Sequence, residues 1–343
     1  MADPDASNGS LVKSLDVGSA RQVRPKGDTK MKRRTGSGLD SVRTALGACL
    51  MVPLTLSVGA PLARGQERES RAYPPTLEGA SEVAVYKTVG DTELKLYIFQ
   101  PAGNQPGNLT PAILFYFGGG WTNGSPEQWH RQCLYFSSRG MVAIAVDYRV
   151  RSRNDTTPLD AVHDAKSSVR WVRQNGERLG IDPSRIAACG GSAGGQLAAA
   201  AGIIDGLDEP GEDLSVSSRA NALVLYNPAV VMAPVEGTDL GRGHGPGGDT
   251  DEERQAISPY HHVNKGDPPT ITFHGREDRT IPYAAAEAFT EKMVDVGNRA
   301  ELVLFDEAGH GFFNSGSYYP DVLARTDRFL ATLGFLKGEP TVP

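Results

Sequence analysis

The chain has 343 residues, 39% of them hydrophobic and 22% charged, an ordinary globular composition with room for one large α/β domain or two small ones. Its formal net charge of -6 gives no basic footprint for nucleic acid, and no nucleic-acid partner is expected. Three cysteines, Cys49, Cys133 and Cys189, are too few for a disulfide framework.

Residues 1–45 are polar and lack a sustained apolar period. Lys32, Arg33 and Arg34 follow Met31, then an apolar stretch runs over 45–62, interrupted by Pro53. Ala63 and Gly65 put small residues at the two positions that a signal peptidase reads. Residues 1–65 therefore read as a leader and signal peptide, with translation expected to start at Met31 and the mature chain at Gln66. This predicts a secreted or periplasmic protein. The alternative is an uncleaved anchor, but the stretch is short and broken for a spanning helix, so no stable membrane insertion is expected.

Residues 66–81 form a polar lead-in, and 82–335 carry the predicted catalytic domain, followed by a tail over 336–343. Strand-like runs fall at 83–89 and 93–99, a hairpin around Gly90-Asp91, and then at 112–117, 141–147, 185–189, 222–226, 270–273 and 301–305. Helical periods lie between them at 127–138, 160–179, 192–204, 283–296 and 321–333. A hairpin followed by strand–helix alternation predicts a mostly parallel sheet covered on both faces, with ligands at the carboxyl ends of its strands. Residues 231–268, glycine-rich and then charged, resist assignment and should lie near the site mouth. The polar run 205–218 reads as a second surface loop. Cys189 ends a strand and reads as a buried free thiol.

The chemistry begins at Gly190-Gly191-Ser192-Ala193-Gly194, a G-x-S-x-G spacing between an apolar strand and an alanine-rich helix. A tight strand-to-helix turn lifts the serine above the sheet edge, and glycines remove side chains that would clash there. With 40 glycines in the chain, such a match arises by chance on the order of a few tenths of the time, so the motif needs partners. His310 follows the last strand between Gly309 and Gly311, free to point into a site and act as a base. His130 and His163 sit on helices, His244, His261 and His262 in the long segment, and His274 ends a strand. Asp278 leaves the strand 270–273 and could orient an imidazole. It could equally cap the helix that follows Pro282, and Glu277 is its neighbouring competitor. Phe117-Gly118-Gly119-Gly120-Trp121 follows a strand and offers unobstructed N–H groups for a developing oxyanion, with the N–H of Ala193 beside the serine.

Taken together, Gly118-Gly119-Gly120-Trp121, Asp147-Tyr148-Arg149, Ile181-Asp182-Pro183-Ser184-Arg185-Ile186, Gly191-Ser192-Ala193-Gly194-Gly195, the run from His274-Gly275 to Pro282 and Gly309-His310-Gly311 resemble the α/β-hydrolase superfamily. The resemblance is to its hormone-sensitive-lipase-like and bacterial carboxylesterase branch, over about residues 82–335. It implies the α/β-hydrolase fold, a mostly parallel eight-stranded sheet with helices on both faces and a minimal cap. It also implies Ser192 as nucleophile, Asp278 as acid and His310 as base, in the chain order the family uses, with Gly119, Gly120 and Ala193 forming the oxyanion hole. Trp121 and Phe312, next to these motifs, are candidate substrate contacts. The sequence departs from the branch at Phe117, where the triglycine motif usually begins with histidine, so the loop must be braced differently. No long helical cap precedes the triglycine motif, which leaves 205–218 and 231–268 as the main covers of an open site.

The expected function is a secreted serine esterase acting on small short-chain esters or acylated carbohydrate, including acetyl groups on polysaccharide. It needs no metal or cofactor, since serine, histidine and backbone N–H groups carry every step. Two rivals share parts of the pattern: a prolyl-oligopeptidase-like peptidase, and a catalytically inactive hydrolase fold used for binding.

Overall fold

The computed structural model describes residues 73–242 and 247–342. The predicted leader, its start at Met31, its cleavage before Gln66, Cys49 and His244 lie outside them. The strands are β1 (Glu82–Val89), β2 (Thr92–Phe99), β3 (Thr110–Tyr116), β4 (Val142–Val146), β5 (Ile181–Gly191), β6 (Ala222–Tyr226), β7 (Thr270–Gly275) and β8 (Ala300–Phe305). The helices are α1 (His130–Ser138), α2 (Arg151–Asn154), α3 (Pro158–Gln174), α4 (Gly176–Leu179), α5 (Ala193–Ile203), α6 (Asp251–Ala256), α7 (Pro259–His262), α8 (Tyr283–Asp295) and α9 (Tyr318–Thr332).

The eight strands form one sheet in the order β1-β2-β4-β3-β5-β6-β7-β8. β1 and β2 pair antiparallel, as do β2 and β4, and every later pairing is parallel. The parallel strands read as unbroken apolar runs because both of their faces are covered: β4 and β6 are buried at every position. Helix α1 packs on β2 and β4, α3 on β1 and β5, α5 on β3, β5 and β6, and α8 and α9 on β7. This is the expected α/β-hydrolase architecture.

Two local signals set the central helices. Thr157 and Asp160 form a capping box around Pro158, so α3 starts at a defined point. Helix α5 is alanine-rich and buried at every residue, which fits a helix enclosed on all sides rather than one with a wet face. The segment left unassigned above holds α6 and α7. Helix α6 begins at a capping box, Thr250 with Glu253, that the sequence displays openly. Cys133 and Cys189 are free, buried thiols. No helix among the described residues is long and apolar enough to cross a membrane.

Candidate active site

Ser192 stands between β5 and α5 with φ 56° and ψ -121°, backbone angles that a non-glycine residue adopts only where the surroundings hold it. The predicted helix over 192–204 therefore starts one residue later, at Ala193. Ser192 N–H donates to the Tyr226 carbonyl at 2.9 Å, which fixes the turn against the end of β6. The turn tolerates no side chain around it: a Cβ on Gly194 would lie 2.0 Å from the Tyr116 carbonyl oxygen.

The three residues proposed from the sequence meet at the carboxyl ends of β5, β7 and β8. The Ser192 hydroxyl lies 3.0 Å from His310 Nε2, and His310 Nδ1 lies 2.8 Å from Asp278 Oδ2. Asp278 meets the imidazole but does not cap α8, which has no side-chain cap; its Oδ1 instead accepts from the N–H groups of Thr280 at 2.8 Å and Ile281 at 2.9 Å, in the turn before that helix. The Asp278 side chain is fully buried while the imidazole of His310 is partly open. A carboxylate shielded from water and held by two backbone donors is a rigid acceptor for the imidazole. Glu277 is not part of this chain of contacts; its own N–H bonds the Ala308 carbonyl.

Two buried neighbours of the triad were not singled out from the sequence. His274, at the end of β7, places Nε2 3.0 Å from the Ile281 carbonyl and 3.3 Å from Asp278 Oδ2. Burial holds its imidazole below the usual histidine range, so it is neutral at neutral pH. Asn227, fully buried just after β6, brings its side-chain amide 2.9 Å from His310 Nδ1. They lie at the carboxyl ends of strands that pair with each other (Tyr226 lies opposite Phe273), and that position is their one visible signal.

The triglycine loop follows β3. Gly118 N–H is already committed, donating to Gln128 Oε1 at 2.7 Å. The N–H groups of Gly119 and Gly120 make no hydrogen bond among the described residues. Ala193 N–H heads α5, where the first turn has no intrahelical acceptor. Gly119 has φ 135°, and a Cβ there would sit 2.1 Å from the Asn123 carbonyl oxygen. Phe117 carries the bracing that a histidine would otherwise provide. Its ring stacks on Tyr148 at 4.0 Å between centroids, and its carbonyl accepts from the Tyr148 hydroxyl at 2.7 Å. Gln128 then extends the brace: its Nε2 donates to Asn314 Oδ1 at 2.9 Å, and Asn314 Nδ2 donates to the Gly311 carbonyl at 3.0 Å, next to His310.

Ser192, Ala193, Gly120 and Trp121 open into a cavity of about 400 Å³ walled by Ala229, Val231, Met232 and Ile281. A second cavity, of about 590 Å³, shares Gly120 and Trp121 and is lined by Thr157, Leu207, Glu253 and Ile257 among others. Trp121 contributes to both walls. It is buried, with φ 54°, and its Nε1 donates to Gln196 Oε1 at 3.2 Å. Residues from 231–268 line both cavities, as expected of a cover. Segment 205–218 behaves differently. Leu207 reaches the second cavity, but Asp208 and Glu212 pair with Arg170 on α3, so this stretch is mostly clamped to a helix. Phe312, proposed as a substrate contact, packs against Phe305, Phe313 and Tyr318 and lines neither cavity, because the turn at Gly311 directs it into the apolar cluster between β8 and α9.

Comparison with known proteins agrees with this geometry. The family model described as BD-FAE matches residues 96–236, and that of the prolyl oligopeptidase family matches 228–334. A solved structure of Thermogutta terrifontis esterase 2, phosphoramylated by tabun, is 46% identical, covers 78% of this chain and 100% of its own, and superposes with a TM-score of 0.72. The same enzyme with propionate bound gives 46% identity over 78% of this chain and 99% of its own, with a TM-score of 0.73. Esterase LipC of Mycobacterium tuberculosis is 26% identical over 248 residues, 65% of this chain and 58% of the relative. The chain spans about half the length of the curated relatives it matches. With 46% identity across the full length of a solved esterase, an eight-stranded sheet and the elbow, acid and histidine loops in family order, this chain belongs to the α/β-hydrolase superfamily, in its hormone-sensitive-lipase-like carboxylesterase branch.

Proposed function

We propose that the protein is a serine carboxylesterase that hydrolyses short-chain esters through an acyl-enzyme on Ser192. The observation that carries this reading is the unbroken contact chain Ser192–His310–Asp278, at 3.0 and 2.8 Å, beside uncommitted N–H groups on the triglycine loop. His310 Nε2 accepts the hydroxyl proton as Ser192 Oγ attacks the ester carbonyl. Negative charge develops on the carbonyl oxygen, facing Gly119, Gly120 and Ala193 N–H groups that need no reorganisation. Asp278 holds the Nδ1 proton and stabilises the imidazolium. His310 then protonates the departing alkoxide, the C–O bond breaks and the alcohol leaves. Water, deprotonated by the same histidine, attacks the acyl-enzyme carbonyl, and Ser192 recovers its proton as the acid is released.

The cavity of about 400 Å³ beside the serine, with a mainly apolar wall that also includes Thr280 and Arg242, suits acyl groups from acetyl to butyryl. Its resemblance to an esterase solved with propionate and with butyrate supports the same range. The second cavity has a largely apolar wall, with Leu159, Leu207 and Ile257, on which Thr156, Thr157, Asp249 and Glu253 place polar groups able to meet the hydroxyls of an alcohol moiety. Deacetylation of polysaccharide, at the cell exterior that the leader composition suggests, is the natural role we propose. Replacing Ser192 with alanine is expected to lower turnover of p-nitrophenyl acetate by at least about 10⁴-fold. Activity within tenfold of wild type would overturn the proposal, and N-terminal sequencing of exported material tests the location.

The match of the prolyl oligopeptidase model over 228–334 supports a second reading, a serine peptidase, since that stretch holds Asp278 and His310. Turnover of a peptide p-nitroanilide well above that of p-nitrophenyl esters would favour it.

A further inference from the structure

We infer that Asn227 is a positioning residue for His310, a second acceptor on the imidazole Nδ1–H beside Asp278. The inference rests on the triad reading above and extends it to a residue outside the triad. Nδ1 of His310 has two neighbours at hydrogen-bonding distance, Asp278 Oδ2 at 2.8 Å and Asn227 Nδ2 at 2.9 Å. When Nε2 accepts the Ser192 hydroxyl, the ring proton is on Nδ1. An amide NH₂ facing that N–H would set donor against donor, so the amide group that serves catalysis turns its Oδ1 to the ring.

The backbone supports a built contact. Asn227 has φ 31°, a left-handed value that asparagine tolerates better than most side chains, and its N–H donates to the Phe273 carbonyl at 2.7 Å. The strain therefore serves to hold one side chain against the imidazole. Asp278 alone is a restricted acceptor: Oδ1 is occupied by Thr280 and Ile281, and Oδ2 also faces His274 Nε2 at 3.3 Å. A neutral amide oxygen adds a second dipole where positive charge develops on the imidazolium, without adding another buried charge.

The titratable groups facing His310 are Asp278 and His274. Two substitutions compatible with a left-handed backbone isolate the side chain. Asn227→Gly is expected to lower kcat about tenfold with KM unchanged, and to move the acidic limb of the pH–rate profile to lower pH, because the imidazolium loses an acceptor. Asn227→Asp keeps an acceptor and adds charge, so it is expected to move that limb to higher pH. The rate of Ser192 labelling by a fluorophosphonate, and the low-field proton resonance of the His310 ring N–H, read the same contact without ester turnover. An active wild type whose acidic limb, labelling rate and ring resonance are unmoved in both variants would overturn the inference. A wild type that labels but turns over no ester would overturn the esterase reading instead. If Asn227→Gly fails to fold, the Asp278→Asn background decides. Adding Asn227→Asp there is expected to raise the labelling rate, and no rise would overturn the inference.

Discussion

At Gly119 a single methyl group is enough to test the oxyanion loop. A Cβ there would lie 2.1 Å from the Asn123 carbonyl oxygen, on a backbone at φ 135°, so the loop must shift and the N–H must turn away. Gly119→Ala is expected to lower kcat for p-nitrophenyl acetate by about 10²–10³-fold, the usual cost of one lost oxyanion donor. Near wild-type kcat would mean that this N–H does not face the substrate oxygen. Gln128 acts one bond further out, and its removal takes away the acceptor of the half-buried Gly118 N–H, a cost of about 1 kcal/mol. Gln128→Ala is therefore expected to lower kcat and thermal stability together, whereas a drop in stability alone would argue against a link to the loop. The residues of the triad were legible because each follows an apolar run and is flanked by glycine or by a turn signal. Gln128, Asn227 and His274 were not, because what they do depends on partners far away in sequence: Gln128 reaches Asn314 and Asn227 reaches His310. No local pattern announces such a contact.

Elements were legible where burial imposed a period. The parallel strands show as apolar runs, and their observed limits differ from the expected ones chiefly at β5, which extends back to Ile181 through the polar Asp182-Pro183-Ser184. Helices α6 and α7 were missed because glycines before them and charges within them read as loop, although the Thr250–Glu253 capping box marked a start. The run 205–218 was read as a cover on polarity alone, and the structure shows why that polarity exists. Its acids meet a cationic face: Glu209 reaches Lys87 and Arg149, and Asp208 reaches Lys166 and Arg170. Beneath them Asp164 on α3 is fully buried, bonded to Lys87 Nζ at 2.7 Å and to Arg149 Nη2 at 2.7 Å. Removing one member of a buried pair leaves uncompensated charge, so Asp164→Ala is expected to cost about 3–5 kcal/mol in denaturant unfolding. A loss below 1 kcal/mol would show that water or Glu209 replaces the carboxylate. The Ser192–His310–Asp278 contact chain does not include these residues, so any kcat change should be smaller than the stability change.

For the whole molecule, the sheet buries an acid whose titration couples folding to pH. Asp147, after β4, accepts from the Tyr73 hydroxyl and lies 3.6 Å from Arg153, yet burial pushes its carboxyl up from 3.8 to about 6. The folded state therefore holds this proton more tightly than the unfolded chain. Its contribution to stability is full below about pH 4 and is lost as pH rises through about 6. His274 works in the opposite direction: burial lowers its pKa, so its contribution is present above the unfolded histidine value and is lost as pH falls. The two effects can be separated by Asp147→Asn, which keeps an acceptor for Tyr73 and removes only the first titration. Relative to wild type, the variant is expected to gain about 2 kcal/mol of unfolding free energy between about pH 4.5 and pH 7.5. The His274 contribution cancels in that difference because both proteins carry it. Paired guanidinium unfolding curves at the two pH values measure the gain, and parallel pH dependences would mean that Arg153 and Tyr73 fully offset the burial of Asp147.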